Sequence, residues 1–191
     1  SQIGVADVDL ALRYSVPGPA TQGGMRLFGE QLAVVASPWL LKGKPELRTP
    51  ADVAQFTLIE ASDAHRSAHL EWLSWRRWLD IHGVDKLQPE RWLYFNYAHQ
   101  IAQAALTGQG VALARMALVH DQIARGELVE PFGAAGRVAA PYSYWLIPLP
   151  GARLRPELRA FITWVRGEAA ATRGALGEAP GGQAGVGAGV S

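Results

Sequence analysis

The side chains able to do chemistry are few and scattered. No cysteine occurs in the 191 residues, which removes thiolate nucleophiles, thiolate zinc sites and disulfide frameworks together. His65 and His69 stand four apart, a spacing that puts two imidazoles on one helix face, but Arg66 fills the position where a metalloprotease carries glutamate. No third ligand is evident, so the pair reads as surface and no metal site is expected. Gly108-Gln109-Gly110 suggests a nucleotide fingerprint, yet Leu113 replaces the third glycine and the order runs helix then strand. Those glycines suit a helix end and a tight turn. Ser37 lies between a strand and a helix but has Ala36 and Pro38 as neighbours, not the glycines of a nucleophile elbow. Asp7 and Asp9 would both face outward from one strand. Nothing assembles a nucleophile, a base and an acid, so no catalytic residue is named and an enzyme is not expected.

One segment carries a positive signal. Phe95-Asn96-Tyr97 reads as a strand end feeding a helix capped by Asn96. Such a junction offers unpaired backbone N–H groups and the positive end of the helix dipole to a small anion, with the Tyr97 ring as a wall. The alternative is an ordinary strand–helix junction. Arg155, Arg159 and Arg166 form a basic stripe on the last helix, which reads as a solvated face.

The elements that must position these residues follow from apolar spacing. Val8, Leu10 and Leu12 alternate with polar or small residues as a strand does. Leu32-Ala33-Val34-Val35-Ala36 is an unbroken apolar run of strand length, stopped by Ser37-Pro38, where Ser37 can cap a short helix. Thr49-Pro50 starts another helix, and Phe56-Thr57-Leu58-Ile59 a strand. Spacings of three and four at Trp72, Trp75 and Leu79 predict a helix from His65 to His82 ending at Gly83. Trp92 to Phe95 and Val111 to Ala114 read as strands, each followed by a helix, and the second of these helices runs from about Met116 to Arg125. Leu128-Val129 and Tyr142 to Leu149 read as further strands. A last helix opens at Arg155-Pro156, with Leu158, Phe161, Ile162 and Val165 on its buried side. Strands alternating with helices at short intervals predict an α/β fold with parallel pairing. A composition of 49% apolar and 18% charged residues at net charge +1 suits a globular domain without a global pull toward nucleic acid. No run is long enough to span a membrane. Seven of the 21 glycines follow Arg173, and residues 171–191 are expected to be a flexible tail.

Taken in order, several segments resemble one family. Asp7-Val8-Asp9-Leu10-Ala11-Leu12-Arg13-Tyr14, then Leu32 to Pro38, then Trp75, Trp78-Leu79 and Gly83, are similar to the effector-binding domain of LysR-type transcriptional regulators. Within the family they resemble the glycine-cleavage and β-lactamase regulator branch. Ala104 to Leu113, Leu128 to Phe132, Tyr144-Trp145-Leu146 and Phe161 to Trp164 continue the match, over roughly residues 5–168.

The resemblance implies a type 2 periplasmic-binding-protein-like fold, with two α/β lobes joined by two crossover strands. Lobe I would be residues 1–35 with 144–170, lobe II residues 36–143, with hinges near Val35 and Tyr144. A small effector, expected to be anionic, would lie between the lobes, against Arg13, Tyr14, Ser15, Ser37, Asn96, Tyr97 and Tyr144. No cofactor is implied. The family's N-terminal helix-turn-helix and linker helix are not in this sequence, and the first strands of lobe I are expected to be missing, leaving that lobe incomplete. DNA binding would belong to that missing part, and the full-length protein would be a cytoplasmic homodimer or tetramer. A transport solute-binding protein of the same fold is the alternative.

Overall fold

The computed structural model describes residues 10–43, 46–68, 70–149 and 155–178. Asp7, Asp9 and His69 lie outside them. The chain divides into two compact units, one of residues up to Gly29 with those from Ser143, the other Glu30–Tyr142. Two long strands, β2 (Met25–Val35) and β6 (Val138–Pro148), each run from one unit into the other. The divisions fall at 29/30 and 142/143, where the sequence reading put them near 35 and 144.

In the first unit the strand order is β1-β6-β2, with β1 spanning Leu10–Ser15. β1 and β6 are antiparallel, Leu12 opposite Leu146 and Tyr14 opposite Tyr144. The helix α5 (Pro156–Leu176) lays Ile162, Val165 and Ala169 against Leu27 and Leu146. Phe161, expected on that buried side, is instead exposed beside Trp164, because the inward stripe runs through Leu158, Ile162 and Val165. The expected tail from 171 is corrected over its first residues, while 179–191 lie outside the described residues. The Ala169-Ala170-Ala171 run keeps the chain helical to Leu176, and Gly177 closes the helix in a left-handed conformation. Glu178 then pairs with Arg26 and accepts a hydrogen bond from the Gly29 N–H at 3.0 Å.

In the second unit the order is β2-β5-β3-β4, with β3 at Thr57–Ala61, β4 at Arg91–Phe95 and β5 at Val111–Arg115. β3 pairs in parallel with both β4 and β5. The β2–β5 and β1–β6 pairs are antiparallel, so the expected parallel pairing holds only around β3. Helices α1 (Pro38–Lys42), α3 (Ala98–Leu106) and α4 (Met116–Ala124) fall where the sequence puts them, and Ser37 caps α1 by accepting the Leu40 N–H at 3.1 Å. Residues 128–129 form only a bridge, Val129 to Ala36.

The helix expected over 65–82 does not form as one piece. Residues 62–66 are a turn, a 3-10 turn covers Glu71–Leu73, and α2 runs only Trp75–Ile81. Ser74 interrupts the pattern because its hydroxyl caps the new helix at the Arg77 N–H. The tryptophan spacing still marks the buried face: Trp72, Trp75 and Trp78 all join the second unit's core with Phe56, Leu58 and Leu113. Among the described residues no helix is long and apolar enough to cross a membrane.

Candidate functional site

A small cavity, of about 90 Å³, lies at the end of the second unit's sheet. It opens where the parallel strands β3 and β4 and the neighbouring β5 reach their C-terminal ends, the place where open α/β sheets bind ligands. Leu32, Ile101 and Leu113 form its apolar wall; Asp63, Asn96 and Arg115 form its polar rim.

Each rim residue is set by its strand. Ala61 pairs with Phe95, and one step further the Ser62 N–H donates to the Phe95 carbonyl at 2.9 Å. The Ser62 hydroxyl donates to Asn96 Oδ1 at 2.7 Å. Asn96 is therefore held by the β3 turn and does not cap α3, which corrects the expectation. The N-cap is Tyr97, and its N–H donates to Gln100 Oε1 at 3.3 Å, so Gln100 supplies the cap's side-chain bond. The Tyr97 ring is exposed and stacks on His99, with centroids 5.6 Å apart. Ala98, in the first turn of α3, lines the cavity.

Arg115 ends β5. Its Nη1 donates to Glu30 Oε1 at 2.6 Å, and its guanidinium lies 5.5 Å from the centroid of the Trp72 ring. An ion pair on one edge and an aromatic face beneath fix a planar guanidinium in one orientation. Asp63 follows Ser62 in the turn after β3, and among the described residues its side chain makes no hydrogen bond or ion pair.

The structure brings together only part of the predicted set. Asn96 and Tyr97 are adjacent at this end of the second unit. Ser37 is not with them. It follows β2, whose Val35 lies opposite Ala112 at the start of β5, so it sits at the other end of the same sheet, nearly buried and beside Gly108. In the first unit Tyr14 and Tyr144 are cross-strand partners with ring centroids 4.9 Å apart, and Phe28 lies 5.0 Å from Tyr144. Arg13 and Ser15 alternate onto the opposite face of β1, across from Trp145 and Ser143. The Ser15 hydroxyl donates to the Val16 carbonyl at 3.1 Å, and the Ser15 carbonyl accepts from Trp145 Nε1 at 3.2 Å.

Asp63, Arg115, Glu30 and Trp72 were not foreseen from sequence. The available signal was a lone cation closing the apolar run Val111-Ala112-Leu113-Ala114, and a Ser-Asp pair just past β3. Among the described residues no group of three or more His, Cys, Asp or Glu could hold a metal ion.

Comparison with known proteins gives the chain its family. A model described as LysR substrate binding domain matches residues 2–170. The glycine cleavage system transcriptional activator of Escherichia coli strain K12 is 32% identical over 168 residues, covering 86% of this chain and 51% of that protein. The HTH-type transcriptional regulator DsdC of the same strain is 31% identical over 84% of this chain and 50% of its own length. The chain thus spans about half the length of the curated relatives it matches. The crystallographic effector domain of the transcriptional regulator AmpR of Pseudomonas aeruginosa superposes with a TM-score of 0.58 at 30% identity, over 88% of this chain and 76% of that one. The expected α/β, periplasmic-binding-protein-like architecture is the one these domains have. The chain belongs to the LysR substrate-binding domain family, the effector-binding part of transcriptional regulators.

Proposed function

We propose that this chain senses a small metabolite on behalf of a LysR-type DNA-binding regulator. The observation that carries the reading is the polar-rimmed cavity at the C-terminal ends of the second unit's parallel strands, with Asn96 on its rim and the α3 N-terminus in its wall. Tyr97, next to it, is the neighbouring contact. Arg13, Tyr14, Ser15 and Tyr144, in the first unit, are proposed as separate candidate contacts for an effector, while Ser37 is proposed to act through the α1 cap it forms. The whole regulator would bind DNA through a helix-turn-helix segment and act as a dimer or tetramer. Effector binding would shift the populations of the domain's conformations, a coupling of about 1–3 kcal/mol in such systems. Its relatives are regulators, which supports a sensing rather than a catalytic role.

Native mass spectrometry of the chain after incubation with the small-metabolite fraction of a bacterial extract tests this directly. A discrete adduct of small-molecule mass is expected. A spectrum that shows only the bare chain across the metabolite fraction contradicts the reading.

A further inference from the structure

The cavity's rim holds both signs of charge, and they are not equivalent. We infer that it recognises a small zwitterion, an α-amino acid, rather than a simple anion; this rests on the effector-sensing reading of the same cavity. Arg115 is already balanced by Glu30, a nearly buried carboxylate at 2.6 Å, and is held over Trp72. A guanidinium has five N–H donors, and a bond from Nη1 leaves the rest of the planar fork for a ligand carboxylate. Asp63 has no such balance: among the described residues its carboxylate has no partner, so the rim carries a negative charge that a bound anion would meet without compensation. A ligand ammonium supplies it. The α3 N-terminus at Ala98 adds a favourable potential for the carboxylate end. The apolar wall of Leu32, Ile101 and Leu113 then faces the ligand's aliphatic part. A plain amine would leave the Arg115 fork unfilled, and a plain carboxylate would leave Asp63 unfilled, each forfeiting a charge-assisted hydrogen bond.

Calorimetric titration of the chain with glycine, L-alanine and L-serine, and with propionate and ethylamine as single-charge controls, decides this. At least one of the amino acids is expected to bind, and both controls to bind at least about tenfold more weakly. Asp63→Asn is expected to weaken the amino acid by at least about tenfold while leaving propionate unchanged or tighter, with an unaltered melting curve. Propionate binding as well as the amino acids, an Asp63→Asn variant that binds them normally, or no binding of any amino acid overturns the inference. In the first two cases the effector reading survives if Asn96→Ala weakens what does bind. If none of these probes binds and native mass spectrometry also shows only the bare chain, both readings fall.

Discussion

At the scale of single residues, the second unit is organised around a carboxylate that no water reaches. Glu60, in β3, is fully buried. It is held by the Trp75 N–H at 2.7 Å, the first residue of α2, and by His65 Nε2 at 2.7 Å. The Trp75 indole returns a bond to the Ile59 carbonyl at 2.9 Å. Burial and then the charge of Glu60 raise the Tyr94 phenol above its ordinary range. Truncation at Glu60 strands the buried N–H of Trp75 and opens a void at the base of the turn that carries Ser62 and Asp63. Glu60→Ala is expected to cost about 3 kcal/mol in urea unfolding; a loss under about 0.5 kcal/mol would show that the network is not structural. Little of this was legible from sequence. The strand reading stopped at Ile59, one residue short of Glu60, because an acidic residue ends an apolar run on any periodicity argument. Asn96 was found as a polar residue at the right junction, but propensity alone cannot tell that Ser62, from another strand, takes its side chain. Asp63 and Arg115 come to line one cavity only through the β4–β3–β5 pairing, which no local pattern encodes.

At the scale of elements, the apolar runs and cap residues placed the second unit's strands and most helices within a few residues. They failed where a tertiary bond outranked a periodic pattern. The spacing of Trp72, Trp75 and Leu79 is helical, yet Ser74 and the Glu60–Trp75 bond divide that stretch into a 3-10 turn and a separate α2. The two glycines at 108 and 110 have different physical causes. Gly108 adopts φ +74°, as expected of a residue that ends a helix. Gly110 is required by approach rather than by a turn: a Cβ there would lie 2.5 Å from the Thr57 carbonyl oxygen and 3.0 Å from Ile59 Cγ1. Since the obstacle is backbone of a central strand, Gly110→Ala must push β5 from β3. A loss of about 2 kcal/mol in thermal or urea unfolding is expected. A neutral substitution would mean that the strands do not pack so closely. The same displacement moves Arg115, at the far end of β5, so ligand affinity should fall with stability in this variant.

At the scale of the whole molecule, two units are built on shared strands, each with its own apolar core. The family's order of segments was legible because seven short motifs follow one another correctly, although each alone is weak. The placement of Ser37 was not, since motif order says nothing about which end of a sheet a residue occupies once β2 pairs antiparallel with β5. A net charge of +1 gives the chain no broad field of either sign.

Calorimetry of wild-type chain, Asn96→Ala and Tyr97→Ala with the metabolite identified by native mass spectrometry tests the effector-sensing reading most directly. Both variants are expected to bind at least about tenfold more weakly while melting at the wild-type temperature, since neither side chain supports the core. Wild-type affinity in both variants would place the effector elsewhere and contradict the proposed site.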